Sequence, residues 1–140
     1  MIAARSPAEK QRLLGWLGAR VETEPFDLVG AMPFEIAEVV RDGETMGVVL
    51  YTNFRDASIE MAWAGRVGWL TRTTLRAMWS YPFRQLACRV VTGLVKASNA
   101  RSLDVAERMG CRRCGVIPDW YDDDDAVVFA MTPDRCRWVG

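Results

Sequence analysis

The chain has 140 residues, of which 50% are apolar and 26% are charged, the size and composition of a single globular domain spanning residues 1–140. Its 18 basic residues balance its 18 acidic residues, so no net field attracts nucleic acid or an anionic membrane. We find no apolar run of bilayer length and no secretory signal. We therefore expect a cytoplasmic protein with reduced thiols that binds neither nucleic acid nor a membrane.

Histidine and cysteine content limits the chemistry that the chain can perform. It has no histidine, which excludes Ser-His-Asp and Cys-His catalysis. Only Cys111 and Cys114 have metal-binding spacing, whereas a structural zinc site needs about four ligands. We therefore expect no metal site, and thiols that are buried or half-buried. The acidic run Asp122–Asp125 predicts a solvated turn in preference to a cation site, because consecutive carboxylates cannot all converge on one ion.

The first third of the chain begins with a helix signal. The segment Ser6-Pro7-Ala8-Glu9 is a capping box, in which Glu9 is expected to reach back to the amide of the cap residue. Together with an apolar stripe, it predicts a helix over residues 6–18 that stops at Gly18. Residues 19–33 contain two prolines and a glycine, and we expect a short helical turn or a loop there.

Three antiparallel strands are predicted next. Phe34–Arg41 alternates between apolar and polar residues, and Asp42-Gly43 is a strong two-residue hairpin turn. The second strand is predicted over residues 45–54 and the third over residues 58–64.

The second half of the chain alternates helices and strands. Apolar periodicity predicts a helix over residues 70–86, with Pro82 kinking or ending it, and a second helix over residues 98–109 that Gly110 closes. Buried or alternating strands are predicted over residues 89–95, 112–117 and 126–132. The predicted fold class is therefore α/β (α+β), a mixed sheet with helices on its faces.

Residues 34 to about 132 contain several distinctive segments: Glu60-Met61-Ala62-Trp63 at a strand end, the loop Gly65–Thr71 and Ser98-Asn99-Ala100-Arg101-Ser102. Through these segments this part of the chain resembles the Gcn5-related (GNAT) N-acyltransferases. Glu107–Val116 stands where the family commonly has "E-K-x-G-F-R-x-x-G", and Val127–Met131 matches its closing strand. Within the superfamily, the "W-L-T … Y-P-F … Q-L" pattern is most similar to small phage- and prophage-encoded acetyltransferase-like proteins.

This resemblance implies both a fold and an activity. The fold is a mixed, mostly antiparallel sheet of about six strands, splayed in the middle and flanked by about three helices. The activity is transfer of an acetyl group from acetyl-CoA, as co-substrate, to an amine of a protein or small molecule, with the pantetheine arm in the splayed opening. The alternative is a catalytically inactive GNAT-fold protein that binds a host or phage partner. Six tryptophans in a small domain also make a homodimer a candidate assembly.

The cofactor-binding residues implied by the resemblance lie in three segments. The loop 65–71 opens a helix, whose free amides and positive dipole end suit a pyrophosphate, although Trp69 replaces the small residue that the family usually has. Asn99 could bond the pantetheine arm, cap its helix, or do both, and Ser102 faces the same groove. The implied residues are Met61, Ala62, Trp63, Arg66, Val67, Gly68, Trp69, Leu70, Thr71, Asn99 and Ser102.

Two residues are candidates for acid–base catalysis. Glu60 could take the proton from the amine, or it could simply point to solvent. Many GNAT enzymes have a catalytic tyrosine near the position of Ala106, which has no hydroxyl. Tyr121 could protonate the leaving thiolate instead, or be an ordinary aromatic residue. Trp63 and Trp69 are expected to flank the cleft, and the other four tryptophans to be packing or interface residues.

Overall fold

The computed structural model describes residues 1–23 and 25–139, without the side chains of residues 25 and 26. It contains a mixed sheet with the strand order β1-β2-β3-β4-β5-β7-β6. The fold class and splayed architecture predicted above are confirmed, with seven strands and four α-helices within the described residues. The strands are β1 (Ile2–Ala3), β2 (Phe34–Arg41), β3 (Glu44–Arg55), β4 (Ser58–Gly65), β5 (Val90–Lys96), β6 (Arg112–Ile117) and β7 (Ala126–Met131), and the helices are α1 (Pro7–Val21), α2 (Pro25–Val29), α3 (Arg72–Ser80) and α4 (Ala100–Met109).

Helix α1 begins as predicted but ends later. Ser6 Oγ accepts from the Glu9 amide at 3.1 Å, while the Glu9 carboxylate accepts from the Arg5 amide at 2.9 Å, one residue before the expected partner. The predicted stop at Gly18 is wrong, because Gly18 lies on the buried face and the helix continues to Val21. Glu22 caps the helix, since its φ of 55° is left-handed and its amide donates to Gly18 O.

Helix α3 is shorter than its apolar periodicity predicted, and Pro82 is the reason. Thr71 Oγ1 accepts from the Thr74 amide to begin the helix, which ends at Ser80 and is followed by a π-helical turn over residues 81–85. Proline has no amide hydrogen, so Pro82 cannot donate to the carbonyl of Met78 one turn earlier. The buried Tyr51 hydroxyl donates to that carbonyl instead, at 2.6 Å.

The sheet is covered on both faces. On one face α1 packs Leu13, Leu14 and Leu17 against strand residues that include Val48 and Leu50. On the other face α3 and α4 pack against alternate residues of the same strands. Strand β3 is therefore buried on both sides, which is why its middle reads as a continuous apolar run.

The segment after β7 packs on the C-terminal end of α4. The Trp138 indole nitrogen donates to Met109 O at 2.9 Å, Arg135 donates to Gly110 O at 3.3 Å, and Arg137 donates to Arg108 O. These are carbonyls that a helix end leaves without intrahelical partners. None of the described helices is long and apolar enough to span a membrane.

Strands β4 and β5 separate in the centre of the sheet. They pair in parallel only from Ser58 to Glu60 and from Val90 to Thr92. Beyond Glu60, β4 continues along β3, while β5 continues along β7. The divergence leaves a wedge between the two halves of the sheet.

Candidate active site

The wedge between β4 and β5 opens into a cleft of about 410 Å³. This volume is in the range of pockets that bind small molecules. The walls come from the end of α1, from α2 and the loop after it, from the separating strands, from the start of α4 and from the loop between β6 and β7. The lining residues include Asp27, Leu28, Val29, Met32, Asn53, Glu60, Met61, Ala62, Trp63, Gly93, Lys96, Asn99, Ser102, Trp120 and Tyr121.

Glu60 lies where the two strands separate. Its neighbours Ile59 and Met61 are buried on the α3 side of the sheet, so the alternation of β4 places the Glu60 side chain on the cleft side. The carboxylate accepts a hydrogen bond of 2.9 Å from the Asn53 side-chain amide. Among the ion pairs of the described residues, none involves Glu60. It is a half-exposed carboxylate with free acceptor capacity, facing the cleft.

Gly93 lies where β5 passes close to the edge of β4 beside the cleft. A Cβ at this position would lie 3.1 Å from Met61 O and 3.8 Å from the Trp63 ring, so a side chain would crowd the edge of β4 at the opening. Sequence reasoning missed Gly93, although a glycine inside an apolar strand is a known sign of close backbone approach.

The start of α4 forms the next part of the wall. Asn99 Oδ1 accepts from the Ser102 amide at 3.1 Å, and both residues line the cleft. Asn99 therefore caps its helix and also faces the cleft, so the two readings of this residue do not exclude each other.

The acidic run holds the loop between β6 and β7 against the start of α4. Asp124 Oδ2 accepts from the Ser98 amide at 2.8 Å, and the Tyr121 amide donates to Asp124 O at 3.0 Å. Asp123 lies 3.5 Å from Lys96 Nζ. The prediction of a merely solvated turn was therefore incomplete, because Asp124 and Asp123 tie the loop to neighbouring elements. Hydrogen bonds from Ser98 lower the pKa of Asp124.

Tyr121 reaches the cleft from this loop. Its ring is half-buried, and the Lys96 ammonium lies 5.2 Å from the ring centroid. Burial, and secondarily the negative charge of Asp124, raises the pKa of Tyr121 above 10.0. The phenol therefore keeps its proton at neutral pH.

The loop 65–71 lies outside the cleft, so the structure does not bring its residues together with Glu60. Trp69 is only 5% exposed, and its indole fills the space over Gly47 and Gly65, where a Cβ would overlap it. The expectation that Trp69 lines the cleft was wrong, because two adjacent glycines make a pocket for it in the core. Trp63 does line the cleft. The other loop residues named from the sequence are Arg66, Val67, Gly68, Leu70 and Thr71.

The loop still presents the start of a helix. The Arg66 side chain pairs with Glu44 at 3.0 Å, and Arg41 donates to Gly68 O at 3.3 Å. Thr71 caps the Thr74 amide. The first two amides of α3, at Arg72 and Thr73, precede any intrahelical hydrogen bond and are available to an anion.

The cysteines are all free, and three of them are buried. Burial, with a contribution from Cys136, raises the pKa of Cys111 to about 12. Cys114 is exposed on the edge strand β6, in contrast to the expected buried or half-buried thiol. Within the described residues, no group of three or more Cys, Asp or Glu side chains is arranged to hold a metal ion.

Comparisons with solved structures identify the architecture. A probable acetyltransferase superposes with a TM-score of 0.62 at 20% identity, over 72% of this chain and 63% of its own length, so this chain spans less than two thirds of that relative. A GNAT-family acetyltransferase from Bacillus anthracis gives a TM-score of 0.59 at 15% identity, over 72% of this chain and 66% of its own. The chain has the GNAT fold.

Two further GNAT-fold structures match nearly the whole chain. A mutant of the spermidine N-acetyltransferase SpeG from Vibrio cholerae gives a TM-score of 0.69 at 14% identity, over 94% of this chain and 91% of its own. A ribosomal-protein-alanine N-acetyltransferase from Brucella melitensis gives 0.66 at 18% identity, over 94% and 99%. No family model and no curated protein sequence matches the chain. The comparisons therefore show a similarity of fold. At these low sequence identities, the chemistry has to be inferred from the residues that line the cleft.

Proposed function

We propose that the chain is an N-acetyltransferase that transfers the acetyl group of acetyl-CoA to a primary amine. The observation that carries the proposal is the wedge between β4 and β5, which has a carboxylate at its closed end and Asn99 and Ser102 on its wall. The superposed structures are acetyltransferases, and the names of two of them specify different acceptors, spermidine and a ribosomal-protein alanine. The fold thus supports acetyl transfer to an amine as the reaction class, but it does not indicate which amine is the acceptor.

The chemistry of the wedge fits the pantetheine arm of an acyl-CoA. Beyond Glu60, the edge of β4 that faces β5 has no strand partner among the described residues, so its backbone groups can bond the amides of the arm. Asn99 and Ser102 add side-chain polar groups along the same wall. The pyrophosphate would be held by the backbone amides at the start of α3. The side chains before them already have other contacts, since Trp69 is buried in the core and Arg66 pairs with Glu44.

In the proposed reaction, Glu60 takes a proton from the acceptor ammonium, directly or through water. The neutral amine attacks the carbonyl carbon of the thioester, the nitrogen loses its second proton to water as the carbon–sulfur bond breaks, and the acetylated amine and CoA leave. Tyr121 keeps its proton at neutral pH and donates it, or a hydrogen bond, to the departing sulfur. A thiolate is a tolerable leaving group, so most of the rate comes from positioning the two reactants in the wedge.

The first test is whether acetyl-CoA binds. A ligand at 100 times its dissociation constant adds about 2.7 kcal/mol of stability, which for a domain of this size raises Tm by roughly 10 °C. No shift at millimolar acetyl-CoA would contradict the proposal. It would favour the alternative of a GNAT-fold binding protein without catalysis, which the paired Arg66 and the core position of Trp69 also favour.

The second test is the role of Glu60. We expect Glu60→Gln to lower kcat by about 10²-fold or more, the usual contribution of a general base, without changing the shift in Tm produced by acetyl-CoA. Glu107→Gln is the matched control, since Glu107 is exposed on α4 and lies outside the cleft. Equal activity of the two variants would remove Glu60 from the mechanism.

A phage or prophage origin is also inferred, from the "W-L-T … Y-P-F … Q-L" motifs alone.

A further inference from the structure

One part of the cleft is separate from the wedge wall that would hold the pantetheine arm. We call it the acceptor pocket, and define it by six lining residues. It includes a wall from α2 and the loop that follows it, the carboxylate at the closed end of the wedge, and a tryptophan from the loop between β6 and β7. The six residues are Asp27, Leu28, Val29, Met32, Glu60 and Trp120.

The acceptor pocket has a negative charge that the protein does not neutralise. Neither Asp27 nor Glu60 takes part in an ion pair within the part of the chain that the structure describes. The single cation among the described residues lining the whole cleft is Lys96, whose Nζ lies 3.5 Å from Asp123. Charge complementarity in the acceptor pocket therefore favours a cationic ligand.

The acceptor pocket also exposes apolar surface. Met32 is 52% exposed and Trp120 is 54% exposed, and both are large hydrophobic side chains at the same cleft. Leu28 and Val29 add apolar surface without further charge. An exposed aromatic side chain beside an apolar wall is typical of sites that take up the hydrophobic body of a ligand.

We infer that the acceptor is a small primary monoamine with an aromatic or similarly apolar body, an inference that rests on the proposed function. Asp27 and Glu60 attract the ammonium group, and Met32 and Trp120 contact the body. A polyamine would need carboxylates spaced along its whole length, whereas the acceptor pocket has only Asp27 and Glu60 among its six residues and is otherwise apolar. The reaction is the one given above, with the amine nitrogen forming the amide bond and CoA leaving as the thiol.

Direct binding tests this inference without turnover. The wild-type chain is titrated, with and without CoA, with 2-phenylethylamine, ethylamine and spermidine, and binding is measured by calorimetry and by tryptophan fluorescence. Burial of the phenyl ring predicts that 2-phenylethylamine binds about tenfold more tightly than ethylamine. Tighter binding of spermidine than of 2-phenylethylamine, equal binding of the two monoamines, or no amine binding at all would each overturn the inference.

Three variants locate the binding. Trp120→Ala should remove most of the advantage of 2-phenylethylamine over ethylamine. Because Trp120 is exposed, the variant should fold like the wild type, so this loss would report on binding. Asp27→Asn should weaken both monoamines about two- to fivefold, as expected for a partly exposed ion pair. Asp42→Asn is the matched control, because Asp42 lies in the β2–β3 turn outside the cleft, and it should change neither amine. Unchanged binding in both test variants would overturn the inference.

The outcome separates this inference from the proposed function. A shift in Tm with acetyl-CoA together with the wrong amine preference, such as acetylation of spermidine or of a peptide N-terminus in place of 2-phenylethylamine, would reject the acceptor class alone. Amine binding without any effect of acetyl-CoA would reject the transferase and leave the acceptor pocket as an amine-binding site.

Discussion

The loop before α3 and the loop between β6 and β7 differ in what their tryptophans do. Trp69 belongs to a segment that resembles a family motif, yet its side chain is 5% exposed and packs over two glycines in the core. Trp120 belongs to no motif, yet it is 54% exposed and lines the cleft. A motif marks where a backbone element lies, whereas tertiary contacts decide which side chains reach a ligand.

The largest expected difference between the two loops is in stability. Trp69→Ala would leave a cavity over Gly47 and Gly65, and we expect it to lower the free energy of unfolding by about 3–5 kcal/mol. Trp120→Ala removes an exposed side chain and should change that free energy by only about 0.5 kcal/mol. Urea denaturation of both variants measures the difference. Similar losses in the two variants would contradict the contrast drawn above.

A second prediction concerns the glycines that accommodate Trp69. A Cβ at Gly47 would overlap the indole, so we expect Gly47→Ala to cost about 3 kcal/mol by overpacking. Gly15→Ala is the matched control, because Gly15 is exposed on α1 with no atom close to the added Cβ. That change should stabilise the chain by about 0.5–1 kcal/mol, since alanine is the better helix former. Equal Tm values for the two variants would exclude the proposed packing of Trp69.

The third and smallest effect concerns the loop between β6 and β7. The pKa of Asp124 is lowered by hydrogen bonds from Ser98, so its ionised form is favoured in the folded state. Its contribution to stability is therefore present above the unfolded pKa of about 3.9 and is lost as the pH falls through the lower folded pKa. We expect the Tm of Asp124→Ala to lie below that of the wild type at pH 6, and the difference to shrink as the pH falls below the unfolded pKa of about 3.9. A constant difference in Tm across that range would show that the charge of Asp124 is not involved.

Local signals predicted most of the fold. The Asp42-Gly43 turn, the capping box and the strand alternation gave elements with correct types, and most strand bounds agree within about one or two residues. The errors have physical causes that act at long range. Gly18 is a helix stop by local propensity, but it lies on the buried face of α1 and the helix continues past it. The hydrogen bond to Met78 O that Pro82 cannot donate is supplied by the Tyr51 hydroxyl of the distant strand β3.

The site was less predictable than the fold. Glu60, Asn99 and Ser102 could be named from the sequence because strand alternation and helix starts can be read locally, and all three line the cleft, as does Tyr121 from the loop between β6 and β7. The same cleft is also lined by Asp27 and Met32 from the first third of the chain and by Trp120 from near its end. No local sequence pattern indicates that two such distant segments come together. Whether the residues named from the sequence bind acetyl-CoA stays a prediction.

The contacts between residues 135–138 and α4 have a practical consequence for experiments on this chain. They hold the end of the helix whose other end carries Asn99 and Ser102. A deletion that begins at Thr132 would remove all three donors and leave the carbonyls of Arg108, Met109 and Gly110 to solvent. Assays of ligand affinity should therefore use a chain that keeps residues 132–139.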